Sequence, residues 1–351
     1  MLNNLLDNKK VNKFLQLLAG IFVLNSKKRK NIRKNLKERL KTKARAKIAS
    51  LINNKYSDCY CFFSRYGIGD IFFVASLIKE FKKHNNNAKV VYFTEKRHLV
   101  PYLKAFSSID EVVCNSEFAF LQDEKVLQRK PEIGKLNLLF FPYKGGKNTY
   151  TFADNYANLL GLPLDAQREM PSVSPQNFEN VKKEYEFLGL TPERTVVLIP
   201  EATMFDYRVL SPVFWKNLAG KLENMGFNVV FNTLNKEYEE YRTTFLPVID
   251  FLIFASKARR VISFRSGITD LLAGCGLKNI TTIYPPNLEV IWAESDVMEY
   301  LNKNHIKKFD SEFENIFNIY SLNSNFNRND ITELVYDYNM QKLENNILKN
   351  I

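Results

Sequence analysis

Between Asp58 and Tyr284 short apolar runs alternate with longer stretches in which apolar residues recur at helical spacing. In the first half the runs are "CYCFF" (59–63), "AKVVYF" (88–93), "EVVCN" (111–115) and "LNLLFFP" (136–142). Helical patterns follow them over 70–83, through Leu103, near 117–129 and over 152–160. Continuous apolar strands separated by helices signify βαβ units, with a parallel sheet covered on both faces. The segment "GLPLDAQREMPSVSPQNFEN" (161–180) carries three prolines and loses the period, as a linker does. The rhythm then restarts with "TVVLIP" (195–200), "FNVVFN" (227–232), "RRVISF" (259–264) and "NITTIY" (279–284). Helices are predicted over 212–225, over 248–256 and from Thr269. A last helix, capped by Asn329 or Asp330, is predicted near the C-terminus.

The expected fold class is therefore α/β: two Rossmann-like domains whose strand ends face a central cleft. The predicted divisions are an arm over 1–50, an N-terminal domain over 51–175, a C-terminal domain over 176–328 and a final helix over 329–351. A chain of 351 residues with 45% hydrophobic and 25% charged residues suits two globular cores.

Charge divides this picture unevenly. Residues 1–50 hold 15 Lys/Arg against Asp7 and Glu38, so the arm carries +13 and the other 301 residues −1. Within it Ile32, Leu36, Leu40, Ala44 and Ile48 recur every four positions, a narrow apolar stripe on a cationic helix. Two readings stand: a solvated helix packed lightly on the body, or a helix lying on an anionic membrane surface with Phe14, Leu17, Leu18, Ile21 and Phe22 dipping into it. Nucleic acid is not the expected partner, since the excess charge comes with no recognition motif and a nearly neutral body. The longest apolar run, "FLQLLAGIFVL" (14–24), is interrupted by Gln16, is shorter than the roughly 18–20 residues of a membrane span and lacks a cleavage site. A cytoplasmic chain is expected, peripheral at the inner face of the membrane.

The four cysteines are scattered, and Cys59 and Cys61 would share one face of a strand. None of the three histidines lies near them, so neither a metal site nor a bound cofactor is expected.

Three strand ends carry candidate chemistry. In "SRYGIGD" (64–70), Gly67 and Gly69 permit a tight turn with outward N–H groups, and Asp70 reads either as a helix N-cap or as a general base facing the cleft. The third glycine of a dinucleotide fingerprint would fall at Phe72, so that motif is absent. In "PEATMFDYRVLSPVFWKNLAGKL" (200–222), Thr203, Arg208 and Lys216 surround a helix start where cations and free N–H groups can hold a diphosphate; a surface ion pair is the plainer role for Arg208. In "SFRSGITDLL" (263–272), Ser266 can cap the next helix, Gly267 permits close approach, and Asp270 suits the helix dipole or sugar hydroxyls.

Taken in order, these stretches resemble the GT-B glycosyltransferases, most closely the heptosyltransferase-like family of bacterial lipopolysaccharide and capsule assembly. "GIGDIFFVASLIKEFKK" matches the family's first-strand motif. "VVLIPEATMFDYRVLSPVFWKNLAGKLENMGFNVVF" matches the opening of its second domain, and "VISFRSGITDLLAG" matches its donor motif in part. The match spans roughly residues 57–285. The resemblance implies a metal-independent inverting transferase with no cofactor, moving a sugar from a nucleotide-sugar donor to a glycan or lipid-linked acceptor. It implies Asp70 as the base that deprotonates the acceptor, Arg208 where the family places a lysine against the donor diphosphate, and Ser266, Gly267 and Ile268 on the turn embracing that diphosphate. Two positions depart from the family: its acidic residue is Arg265 here and its histidine is Asp270. Donor specificity is therefore expected at those two residues, and "SFRSG" is similar to strand ends of GDP-sugar-binding fucosyltransferase-like enzymes. A second reading keeps the GT-B fold without catalysis, as a nucleotide- or glycan-binding protein.

Overall fold

The computed structural model describes residues 26–63, 67–121, 136–138, 151–202, 210–284 and 321–351. The N-terminal half contains α1 (Ser26–Lys55), β1 (Cys59–Phe63), α2 (Ile68–His84), β2 (Lys89–Thr94), α3 (Val100–Lys104), β3 (Glu111–Cys114), β4 (Leu136–Leu138) and α4 (Phe152–Leu159). Its four strands form a parallel sheet in the order β3-β2-β1-β4. The second half contains α5 (Pro175–Phe187), β5 (Thr195–Ile199), α6 (Pro212–Asn224), β6 (Asn228–Asn232), β7 (Thr243–Thr244), α7 (Val248–Lys257), β8 (Arg260–Phe264), α8 (Gly267–Gly274) and β9 (Ile280–Tyr284). After residue 321 come α9 (Leu322–Asn325), β10 (Thr332–Val335) and α10 (Met340–Leu348). The second sheet is also parallel, ordered β10-β9-β8-β5-β6-β7.

The strands β1, β2, β5, β6, β8 and β9 are buried on both faces, the reason they read as unbroken apolar runs. On β1, alternate residues diverge. Cys59, Cys61 and Phe63 face α1, where they meet Ala44, Ile48, Ile52 and Phe118, whereas Phe62 faces α2 and packs beside Phe72, Ile78 and Phe81. Burial pushes the Cys61 thiol up to about 12, as suits an inert core residue. In the second sheet Val197, Val230 and Val261 face α7 and α8, whereas Val196, Val229 and Ile262 face α6 and α10. The α2 side of the first sheet and the α8 side of the second belong to one continuous core, so the halves meet helix to helix.

Three expectations are corrected here. The arm does not end at residue 50: α1 runs on to Lys55, and its second half is no loosely resting helix, because Ala44, Ile48 and Ile52 are buried as the cover of the first sheet. Lys43 and Lys47 pair with Glu117, and Lys55 with Glu111, tying it down at the rim. The helix predicted near 117–129 is a short 3-10 turn over Ser116–Leu121, and 122–129 lies outside the described residues. The terminal segment predicted as one helix from 329 is instead a strand and then a helix. Thr332–Val335 adds β10 to the open edge of β9, and α10 starts only at Met340, where the Asn339 side chain accepts from Lys342 N. Burial of Ile331 beside that edge outweighs the local helical period.

The predicted linker leaves α4 through a turn at Gly161 and then clings to the N-terminal domain. Glu169 N donates to Ser76 O (2.7 Å), Ser172 N donates to Ala105 O (2.7 Å), and the Glu169 carboxylate accepts from Ser107 N (2.8 Å). The chain enters α5 at a Ser174 cap, whose hydroxyl accepts from Asn177 N.

Candidate active site at the domain junction

Helix α2 starts directly after the loop that leaves β1. Gly67 is its cap residue and Asp70 sits three positions on, so Asp70 is not the N-cap: its carboxylate reaches back to accept from Gly67 N (3.1 Å). The other oxygen accepts from the Tyr156 hydroxyl at 2.5 Å. Burial pushes the Asp70 carboxyl up to about 6; the Tyr156 bond pulls it down, and the charge of Asp270 adds to the rise. A half-buried carboxyl poised near neutrality at a helix start is suited to taking a proton from a hydroxyl.

Helix α8 meets α2 end to end. A Cβ on Gly69 would stand 2.8 Å from Gly267 Cα and 2.6 Å from Asp270 Oδ2, and a Cβ on Gly267 would stand 2.7 Å from Gly69 N. Only two residues without side chains allow that approach. Ile68 Cγ2 would lie 3.4 Å from a Gly267 Cβ, and Ile268 packs, partly buried, on the shared core.

At the head of α8, Ser266 is the cap residue by position, but its buried Oγ has no hydrogen-bond partner among the described residues. The turn is closed instead by Thr269, whose Oγ1 accepts from Ser266 N (3.1 Å) and donates to Ser266 O (2.5 Å). The first N–H groups of the helix, on Gly267 and Ile268, have no acceptor within it, as at every helix start.

Arg265 and Asp270, the two departures from the family pattern, bind each other. Nη1 reaches Asp270 Oδ2 at 3.0 Å and Nη2 reaches Oδ1 at 2.6 Å, a two-bond fork in which the residues are 4% and 7% exposed. Arg265 also donates to Ser266 O (2.9 Å) and Thr269 Oγ1 (3.3 Å). Burial disfavours the guanidinium charge, but facing Asp270 overcomes this and holds the group protonated. Burial raises the Asp270 carboxyl and Arg265 opposes the rise. The two charges brace the turn, and Asp270 faces Gly69 and Asp70 across the junction.

The structure thus brings Gly67, Gly69, Asp70, Arg265, Ser266, Gly267, Ile268 and Asp270 to one place. Thr203 and Arg208 lie outside the described residues. Lys216 pairs with Glu240 at 2.5 Å. Sequence reasoning missed Tyr156, because its helix offered only an apolar stripe and it lies 86 positions from Asp70. It also missed Arg168, whose guanidinium lies over Phe73 (5.5 Å) and Phe326 (5.8 Å) where the two halves meet.

No family model matches the sequence, and no curated protein matches it significantly. Solved structures do match. The Escherichia coli ADP-heptose LPS heptosyltransferase II superimposes with a TM-score of 0.53 at 11% identity, over 83% of this chain and 98% of that one. A family 9 glycosyltransferase from Veillonella parvula DSM 2008 superimposes with a TM-score of 0.50 at 12% identity, over 73% and 94%. The chain has the fold of these glycosyltransferases. Its two parallel-sheet halves are the paired domains of a GT-B architecture, and the α2–α8 junction lies where the carboxyl ends of β1 and β8 lead into their helices.

Proposed function

We propose that the protein is an inverting glycosyltransferase that uses a nucleotide-sugar donor and needs no metal, with Asp70 as the base that deprotonates the acceptor hydroxyl. The observation that carries this reading is the Asp70 carboxyl, shifted up to about 6 and held at the start of α2 against the start of α8, in a chain with a glycosyltransferase fold. The acceptor oxygen attacks the anomeric carbon while its proton passes to Asp70, and the nucleoside diphosphate departs from the opposite face. Among the described residues the first N–H groups of α8, on Gly267 and Ile268, and the Ser266 hydroxyl have no partner, and they suit the charge that develops on the leaving phosphate. Arg208 is the further cation assigned to it. Donor nucleotide, sugar and acceptor follow from the chemistry as a class only: a nucleotide sugar and a hydroxyl of a glycan or glycolipid.

The test is Asp70→Asn assayed with a panel of UDP-, GDP-, ADP- and CMP-linked sugars. Transfer is expected to vanish while the donor that raises the melting temperature of the native protein still raises it in the variant. Undiminished turnover in the variant would remove Asp70 from the mechanism. A response of the melting temperature with no transfer to any acceptor would favour a binding protein, a reading to which the Arg265–Asp270 pair lends weight because those charges are occupied by each other.

We also assign α1 to an anionic membrane surface at the cytoplasmic face. Its buried stripe of Ala44, Ile48 and Ile52 continues toward the N-terminus as Ile32, Leu36 and Leu40, which the body covers only partly, among Lys and Arg. Among the described residues no helix is long and apolar enough to cross a membrane.

A further inference from the structure

Tyr156 is the one side chain that donates a hydrogen bond to Asp70 among the described residues, and it does so from outside the helix that carries Asp70. Its placement is determined from several directions. The ring is 2% exposed and stacks on Phe73 of α2 (centroids 5.3 Å apart, planes 13° apart). Phe73 in turn stacks on Phe326 (5.6 Å, 7°), just beyond α9. Helix α4 is pinned at its start by Thr151, whose hydroxyl accepts from Asp154 N, and by Ala153 N, which donates to the Asn325 side-chain oxygen (2.8 Å). Tyr156, Phe73 and Phe326 are a stack of three rings built from both halves of the chain, and its upper end holds the Asp70 carboxylate.

We infer that Tyr156 is a positioning residue for Asp70: its hydroxyl fixes the plane of the carboxylate and keeps it ionised at the junction, while Asp270 faces it from α8. This rests on the reading of Asp70 as the base. A donor hydrogen bond to an ionised oxygen stabilises the charged form, and a fixed rotamer leaves the remaining lone pairs in a constant direction. Among the described residues the groups facing Asp70 are few. Tyr156 comes from α4, Asp270 with Arg265 behind it comes from α8 and the end of β8, and Gly67 N–H comes from its own helix. Tyr156 and Asp270 act with opposite sign on the proton affinity of the base, and Asp270 does so across the close contact of Gly69 with Gly267.

The experiment is a carboxyl titration by NMR on the full chain labelled at the side-chain carbonyl carbon of aspartate, with Asp70→Asn to assign the signal. In wild type the Asp70 midpoint is expected near 6. In Tyr156→Phe, which keeps the ring stack, it should move up by about one pH unit, and the acid limb of kcat/KM for the transferred sugar should move with it. A 3-fluorotyrosine placed at position 156 keeps the hydroxyl protonated near pH 6 and makes it a stronger donor, so the midpoint should move down; it also serves if the phenylalanine variant folds poorly. A midpoint that stays put in both proteins overturns the inference. Retained turnover in Asp70→Asn overturns the base reading instead, and the titration distinguishes the two failures because it needs no substrate.

Discussion

Gly69 and Gly267 meet backbone to backbone across the domain junction, so closely that a Cβ on either would fall within 2.8 Å of a main-chain atom of the other. Main-chain atoms of two helix starts cannot step aside as a flexible side chain does. Gly267→Ala is therefore expected to cost about 1–3 kcal/mol in urea unfolding, or to wedge the domains apart and enlarge the radius of gyration. Gly220→Ala is the control: it lies inside α6 with nothing within 4 Å of its Cβ position, and should gain up to about 1 kcal/mol from helix propensity. Equal effects at both positions would mean that the junction is looser than its geometry indicates.

Asp70 makes the stability of the fold depend on pH. The folded protein holds the Asp70 proton up to about 6, against 3.8 for an ordinary aspartate, so folding favours the protonated form. The contribution is favourable below about pH 3.8, declines as pH rises through 6 and is level above about 7. Asp70→Asn, a neutral mimic, should thus be more stable than wild type by about 3 kcal/mol at pH 8, with the gain fading toward pH 4. A variant that loses transfer and gains stability in that pH-dependent way is the mark of a strained functional carboxyl. Urea midpoints at pH 4, 6 and 8 measure it, and a pH-independent difference would contradict the assignment.

The two glycine turns were legible because each packs its chemistry into a few consecutive residues: Gly67, Gly69 and Asp70 in one, Ser266 and Gly267 in the other. The strands were legible because sheets covered on both faces leave continuous apolar runs. What escaped was set by distance or by an open edge. Tyr156 approaches Asp70 only after the chain has crossed the sheet. Arg265 and Asp270, five residues apart, looked like two departures that could read a donor, and only the strand-to-helix bend shows that they face each other. The stripe of Ala44, Ile48 and Ile52 was visible as a period, but nothing in α1 itself says that the first sheet has an open face there. Thr332–Val335 carries a helical period beside a helix cap, and the unpaired edge of β9 decides in favour of a strand.

The Arg265–Asp270 fork yields a stability prediction with a built-in control. Arg265→Met leaves a buried carboxylate without its partner and should cost about 3–5 kcal/mol, whereas Arg265→Met with Asp270→Asn removes the stranded charge and should recover most of that loss. The coupling, read from the two single variants and the double variant in chemical denaturation, is expected to exceed 2 kcal/mol by the same argument. Additive effects would show that the fork holds nothing together.

The basic helix makes two demands that a single truncation series separates. Deleting residues 1–31 removes Lys9, Lys10, Lys13, Lys27, Lys28, Arg29 and Lys30 but leaves Ala44, Ile48 and Ile52 on the sheet, so melting should stay close to that of the full chain. Deleting residues 1–55 uncovers Cys61, Phe63, Val91, Phe93 and Phe118 and should yield an aggregating protein. Binding to vesicles rich in phosphatidylglycerol reports the other demand. Each Lys or Arg near an anionic surface contributes about 1 kcal/mol at low salt, so loss of seven should weaken binding by several orders of magnitude, with a shallower salt dependence in what remains. Neutral vesicles should distinguish the two proteins poorly. Full-strength binding of the shorter protein to anionic vesicles would remove residues 1–31 from the membrane contact and leave it to the rest of the protein, whereas weak binding with unchanged melting would divide the basic segment into a structural second half and a surface-seeking first half.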